Sequence, residues 1–455
     1  MPESILEKVA EAPAEVLEKA VEETKKAAGE ITGQRAFKDA KSYWKLLGPG
    51  LTTGASDDDP SGIATYSQTG AAYGFQLLWL APFTFPLMAI IQEMCARIGL
   101  VTGHGLAANI RHFFPRWVLY SCTALLFFAN TLNIGADLGA MAKAGQLLFP
   151  TLPFPLIIIA FTALCLLLQI FSTYEKYARY LKWLAFVLFS YIASALLVKL
   201  NWKEVAIHTI VPSITFSKDQ IFLICGILGT TISPYLFFWQ TSQEVEEEIL
   251  EGKTTLVMRR ETSNQEVKNM RTDVWSGMFL SNLVMFFIIA ACAATLFATG
   301  TVNISTAADA AEALRPLAGE SAYLLFSIGV IGTGLLAVPV LAGSASYALS
   351  ESLGWKFGLY RKLKEAYAFY GVIIISTLIG LAINFIGIDP IKALIYSAVA
   401  NGLIAPVILI LIVLMSSNKK IMGERKNHPA ISAFGWLVTG LMIAAGGATI
   451  VSLVL

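Results

Sequence analysis

Charge is scarce in this sequence. Asp, Glu, Lys and Arg make up 14% of its 455 residues, while 56% are hydrophobic and the formal net charge is +1. That balance excludes a soluble enzyme and indicates a polytopic membrane protein embedded in the lipid bilayer. No basic stripe and no nucleic-acid motif is present, so no nucleic acid is expected as a partner. Cysteine is scarce too. Cys95, Cys122, Cys165, Cys225 and Cys292 all fall in apolar stretches without a CxxC pair, which argues against a disulfide framework or a zinc site and leaves small buried hydrophobes. The four histidines, His104, His112, His208 and His428, fall in loops or at the ends of apolar stretches. No HExxH, GxSxG or phosphate-binding loop occurs, so neither an enzyme nor a resident cofactor is expected. Residues 1–40 lack the apolar run of a signal peptide. Rich in Glu, Lys and Ala, they are expected to form a cytosolic surface helix or a disordered tail, dispensable for transport.

Long apolar runs are abundant. A hydrocarbon core of about 30 Å needs about 20 apolar residues per helix. Eleven spans meet that need, over 46–72, 75–101, 117–147, 153–172, 180–200, 217–247, 273–299, 320–348, 367–387, 390–415 and 430–454. One alternate set of loops carries the basic residues: Arg111 and Arg116; Lys176, Arg179 and Lys182; Lys253 to Arg271; Lys356 to Lys364; Lys419 to Lys426. The opposite set has little beyond Lys199, Lys203, Lys218 and Arg315. By the positive-inside rule the N-terminus is cytosolic and the C-terminus outside.

The stretch from Gly48 to Gly74 carries the most chemistry. It places Asp57, Asp58 and Asp59 directly before Pro60, Ser61 and Gly62, inside the first span. A charged side chain at membrane depth costs roughly 2.5–3.5 kcal/mol on insertion scales, so intramembrane acids point to function. Proline lacks an N–H and clashes with the preceding turn, so the helix breaks there. The sixth span breaks likewise at Thr230-Thr231-Ile232-Ser233-Pro234. The breaks lie five spans apart, at the start of two halves of opposite orientation, which is how many transporters build a site near the bilayer midplane.

The first span resembles that of the NRAMP divalent-metal transporters, the natural-resistance-associated macrophage proteins. Gly48-Pro49-Gly50 leads to Asp59-Pro60-Ser61-Gly62, then Ala64-Thr65 and Gln68-Thr69-Gly70, and the second span keeps Gln92, Arg97, Gly99, Thr102-Gly103 and Leu106-Ala107. The resemblance implies an all-α fold of 11 transmembrane helices, LeuT-like, with two inverted five-helix repeats and broken helices 1 and 6. Residues 1–44 are then a tail and 45–415 the transporter core, with repeats over about 45–200 and 217–415. Residues 416–455 are a cytosolic loop and the eleventh helix. The resemblance also implies a monomeric carrier in a bacterial inner membrane.

Manganese and iron carriers of the family hold the ion with the Asp and Asn of a DPGN motif and with a carbonyl and a Met sulfur of the sixth helix. Here Asp59 matches the Asp, Gly62 stands for the Asn, Thr230 holds the carbonyl position, Ser233 stands for the Met, and Tyr235 replaces the His after proline. An all-oxygen set suits Mg²⁺, Ca²⁺ and Mn²⁺ better than softer metals. Gly62 and Ser233 are expected to widen the cavity for a partly hydrated Mg²⁺, which keeps several waters. The pattern is similar to that of the NRAMP-related magnesium transporters, with Mg²⁺ as the expected ion and Mn²⁺ a second one.

The metal candidates are therefore Asp59, Ser61, Gly62, Thr230 and Ser233, with Asp57, Asp58, Tyr235, Gln240 and Asn401 as second shell or vestibule. Asp59 is also placed to cap the helix after the break. Consecutive helical residues point about 100° apart, so the three acids cannot all face one ion. Asp57 and Asp58 are left to a cation-attracting vestibule or to a paired or protonated state. For Tyr235 and Trp239 packing is the simpler role, for Ser233 a backbone bond competes with metal binding, and for Asn401 an interhelical hydrogen bond competes with holding water. Asn130, Asn133 and Asp137 lie on the third span. Asp137 fits the family's third-helix acid, Ala140 stands one turn later, and the ninth span has no arginine. Together with Tyr235 these departures predict weak or absent proton coupling. Glu93 and Arg97 are expected to pair at i,i+4, and the charged stretch Glu244–Arg271 is expected to be a solvated cytosolic helix end and loop. The alternatives are a proton-coupled Mn²⁺/Fe²⁺ carrier of ordinary type and a LeuT-like amino-acid carrier, whose substrate carboxylate three acids would repel.

Overall fold

The computed structural model describes residues 48–171, 189–197, 200–300, 302–304, 307–312, 319 and 322–454. The expected tail over 1–44, most of the expected fifth span, and Lys176, Arg179, Lys182, Lys199 and Arg315 lie outside the described residues. Among the described residues there is no strand. The helices are α1 (Pro49–Asp57), α2 (Pro60–Tyr73), α3 (Leu80–Thr102), α4 (Leu106–Phe113), α5 (Arg116–Leu148), α6 (Phe154–Phe171), α7 (Phe189–Leu197), α8 (Trp202–Ile210), α9 (Lys218–Thr231), α10 (Pro234–Leu250), α11 (Leu256–Arg260), α12 (Asn264–Cys292), α13 (Ala307–Glu312), α14 (Ala322–Leu353), α15 (Tyr367–Ile383), α16 (Pro390–Ser417), α17 (Lys419–Met422) and α18 (Pro429–Val454).

Both expected breaks are present, between α1 and α2 and between α9 and α10. Eight of the described helical stretches are long and apolar enough to cross a membrane, and Tyr367–Ile383 is a shorter apolar helix. The expected count of eleven is thus not matched one for one. The first span falls short in apolar character because it carries Asp57, Asp58 and Asp59 among small polar residues, and most of the fifth is not described. Boundaries move where caps decide them. α12 starts nine residues before the expected 273, because Ser263 and Glu266 form a reciprocal capping box. α3 ends where Gly103 takes the left-handed conformation, φ 65°.

Burial sorts the helices. Only 28% of the apolar window is buried in Phe154–Phe171 and in Pro429–Leu453, against 83% in Lys218–Leu250, so α6 and α18 lie at the periphery and the broken pair α9–α10 in the centre. There α1 packs on α12 and touches α10, while α2 touches α9, α12 and α16. The charged stretch after the second break departs from expectation. Glu244, Glu246 and Glu248 are buried on α10 rather than solvated, because α3 and α14 cover that helix. Glu246 accepts hydrogen bonds from the Tyr347 hydroxyl (2.7 Å) and the Leu359 and Tyr360 amides (2.8 and 3.0 Å). Glu93 has Arg97 at 3.9 Å as expected, but Arg271 is nearer at 2.8 Å, and Trp275 Nε1 also donates to it at 2.8 Å.

Small residues let α1 approach α12. A Cβ built on Gly54 would lie 2.2 Å from the Gly277 carbonyl oxygen, and one on Gly277 would lie 2.1 Å from that of Gly50. Close backbone approach through small residues is how membrane helices gain contact without a hydrophobic driving force. Gly277→Val is expected to cost at least about 1–3 kcal/mol by overpacking and to lower the thermal unfolding midpoint of the purified protein. Gly371→Ala, whose Cβ would meet open space, is the control; equal midpoints would mean that the two backbones are not in contact.

Candidate metal-ion site

Pro60 sets the first break. α1 stops at Asp57 and α2 resumes with Pro60 in its first turn, where a missing N–H leaves no intrahelical bond unmade. Asp59 caps α2 from extended backbone. Its Oδ1 accepts the Gly62 amide at 2.7 Å and the Ser61 hydroxyl at 2.6 Å, and its Oδ2 accepts Asn133 Nδ2 from α5 at 2.8 Å. A carboxylate offers about four lone-pair sites, so these three bonds leave acceptor capacity toward an ion.

At the second break, Pro234 opens α10 and Ser233 closes α9. The Ser233 hydroxyl lies 2.6 Å from the Gly229 carbonyl oxygen and 2.7 Å from that of Thr230. Its one proton therefore serves the backbone, as the competing role for Ser233 anticipated, and only its lone pairs remain for an ion or water. The Thr230 hydroxyl faces the other break, 3.5 Å from the Asp57 carbonyl oxygen. Gly62 is a point of contact rather than an opening. A Cβ there would lie 3.0 Å from both the Asp57 carbonyl oxygen and the Thr230 hydroxyl, so the expected widening at this position is absent. The space a missing side chain would leave is taken up by the two breaks drawing together.

Tyr235 both packs and bonds. Its hydroxyl donates to the Ser56 carbonyl at 2.8 Å, tying α10 to the last turn of α1, and its carbonyl accepts from Ser344 of α14 at 2.8 Å. The three acids are sealed from solvent and differ in partners. Asp57 Oδ2 accepts from Ser281 at 2.6 Å, whereas neither oxygen of Asp58 has a hydrogen-bond partner. Asp137 on α5 is equally buried with both oxygens unpartnered. Gln240 donates to Glu244 at 2.8 Å and keeps a free side-chain oxygen, as does Asn401 on α16.

The structure thus brings Asp59, Ser61, Gly62 and Thr230 together, with Ser233 within one turn of Thr230. Asp57 turns away to Ser281. Three partners went unforeseen. Asn133 holds Asp59, Ser281 holds Asp57, and Asp273 accepts the Gly50 and Leu51 amides at 2.6 and 3.1 Å, capping the start of α1. The available signals were the Ser281-Asn282 pair inside an apolar span and the lone Asp273 at the head of one.

Two helices broken opposite one another, inside a bundle of apolar helices and next to buried acids, define a polytopic membrane transporter. The natural resistance-associated macrophage protein-like family matches residues 50–452, so the chain belongs to the Nramp family of metal-ion transporters and is not an enzyme. Its fold is similar to that of the manganese transporter of Eremococcus coleocola, crystallised with an aromatic bis-isothiourea substituted compound. The TM-score is 0.72 at 19% identity, over 91% of this chain and 87% of that one. It is also similar to Mhp1, a nucleobase-cation-symport-1 family transporter, in a closed conformation with bromovinylhydantoin bound. There the TM-score is 0.54 at 15% identity, over 89% of this chain and 91% of that one. At these identities the likeness is one of fold.

Asp273→Ala removes the cap of α1, at a cost of about 0.5–2 kcal/mol. Amide hydrogen exchange is expected to speed up over residues 50–57 and to stay unchanged over α18. Unchanged exchange in α1 would show that other contacts hold its start.

Proposed function

We propose that this protein carries Mg²⁺, with Mn²⁺ as a second cargo, by alternating access, and that the ion binds at the two helix breaks. The observation that carries this reading is the donor set there: the Asp59 carboxylate, the Ser61 and Thr230 hydroxyls, the lone pairs of Ser233 and backbone carbonyls, all oxygen. Hard oxygen donors favour Mg²⁺, Ca²⁺ and Mn²⁺, and the thioether that would favour softer metals is replaced by Ser233. Among the described residues no three or more His, Cys, Asp or Glu side chains converge to hold a metal ion. In this reading one carboxylate anchors an ion that keeps several of its waters, as Mg²⁺ does. Those waters are held in part by the free side-chain oxygens of Gln240 and Asn401.

The same reading has transport run without proton coupling. The position of the family's histidine is taken by Tyr235, whose hydroxyl is committed to the Ser56 carbonyl. The carrier works as a monomer in a bacterial inner membrane, N-terminus inside and C-terminus outside. Its core runs over 45–415, preceded by a tail over 1–44 and followed by a loop and last helix over 416–455. A second reading, a proton-coupled manganese carrier, draws on Asp137, buried on α5 with both oxygens unpartnered.

Uptake into proteoliposomes separates the two. Saturable Mg²⁺ uptake without internal acidification is expected, and Asp59→Ala is expected to reduce it at least about tenfold, since losing one charged ligand outweighs the roughly 1.4 kcal/mol that a factor of ten represents. Manganese uptake with acidification and no Mg²⁺ flux would overturn the proposal in favour of the second reading.

A further inference from the structure

Away from the helix breaks, a cavity of about 700 Å³ opens among the end of α3, α4, α11 and the α17 region, lined by His104, His112, Arg260, Lys420 and Arg425 among others. Its volume falls in the range of small-molecule sites. These segments belong to the basic set of loops, the set that the positive-inside rule assigns to the cytosolic face.

Several polar groups in and beside the wall are already engaged. The Leu100 carbonyl accepts from the Thr262 hydroxyl at 2.9 Å, and the Gly103 carbonyl accepts from Arg259 Nε at 3.3 Å. The His104 carbonyl accepts from Asn109 Nδ2 at 3.0 Å. Arg425 is committed to Asn264 Oδ1 at 2.6 Å and the Thr262 carbonyl at 3.1 Å. The one carboxylate in the lining, Glu424, pairs with Lys419 at 3.4 Å. The side chains of Arg260 and Lys420, both exposed, have no hydrogen-bond or ion-pair partner among the described residues. Beside them the rings of His104 and His112 lie 5.4 Å apart, centroid to centroid. A concave site that presents a guanidinium, an ammonium and two imidazoles, with its one carboxylate paired to Lys419, is complementary to a compact, multiply charged oxyanion.

We propose that this cavity binds a phosphoryl anion, presented by an anionic phospholipid headgroup or by a free phosphate compound, through Arg260 and Lys420 with the His104–His112 pair beside them. Basic pockets between membrane helices on the cytosolic side hold such headgroups, and the same donors serve a soluble phosphate. The proposal rests on the cavity and its cations and is independent of which ion the protein transports.

His104 reports on occupancy. It lies in the loop after α3, and burial together with His112, Arg260 and Arg259 lowers its pKa to about 4. An anion seated among those cations offsets the repulsion and raises it. The folded value lies below the unfolded one, so without an anion His104 removes stability as pH falls from about 6.5 toward 4, and bound anion shrinks that loss.

The test uses the full chain in nanodiscs of phosphatidylcholine, of phosphatidylcholine with phosphatidylglycerol, and of phosphatidylcholine with sodium pyrophosphate in the buffer. The ring carbon resonances of His104 and His112 are followed against pH by NMR and assigned with His104→Gln. Phosphatidylglycerol or pyrophosphate is expected to raise the His104 midpoint saturably by about one unit, a tenfold change in proton affinity. The double variant R260Q/K420Q is expected to start from a higher midpoint and to need at least tenfold more anion, while Arg260→Lys keeps the response. A response to phosphatidylglycerol alone identifies a lipid headgroup as the source, and a response to pyrophosphate alone a soluble phosphate. No movement of His104 with either anion overturns the proposal, as does a response that R260Q/K420Q leaves intact. Unfolding midpoints of both variants close to wild type would confirm that each is folded.

Discussion

A helix interrupted inside a membrane leaves backbone groups that no water in the hydrocarbon can satisfy, and the centre of this protein is organised around that need. Pro60 and Pro234 stop the helices, and the groups set free are taken up locally. Asp59 caps α2, Ser233 closes α9, and Tyr235 reaches from α10 to the Ser56 carbonyl of α1. Each break is therefore stabilised in part by the other. The cluster of oxygens where they meet is a consequence of this mutual repair, and the proposed ion would use acceptor capacity that the repair leaves over.

The same economy governs the charges. Asp59 is held on three sides, and Asp57 is held by Ser281, whereas Asp58 and Asp137 have no hydrogen-bond partner. A buried carboxylate without a partner is costly. The acids without a partner lie between α1 and α2 and on α5, while the periphery, α6 and α18, is apolar. Along α10 a further set of buried acids does different work: Glu246 holds the chain just after α14 through Tyr347 and the Leu359 and Tyr360 amides. Asp273 likewise serves backbone, capping α1 from a helix more than two hundred residues away.

Much of this was legible in the residues. The two breaks follow from proline within an apolar run, and the capping role of Asp59 follows from its place before Pro60. The Glu93–Arg97 pair follows from helical spacing, although Arg271 proved the closer partner because α12 packs on α3. Two departures share one reason. Glu244, Glu246 and Glu248 read as solvated because their neighbours in sequence are charged, and Gly62 read as open space because it lacks a side chain. Burial and free volume depend on what packs against a residue from elsewhere in the chain, and α3, α14 and the Thr230 turn lie far away in sequence.

By itself the sequence determined that the protein is helical, lies in a membrane and breaks two of its helices, because hydropathy, span length and the missing proline N–H are properties of short stretches. The resemblance of its first spans to the Nramp family likewise rested on local motifs, and the family match over residues 50–452 agrees with it. Only the tertiary structure decided that Asn133 holds Asp59 at the break while Ser281 draws Asp57 away, and that His104, His112, Arg260 and Lys420 share one cavity. Those facts join residues tens to hundreds of positions apart, and the helix packing that brings them together is fixed by close backbone contacts such as Gly54 on Gly277, which no local pattern encodes.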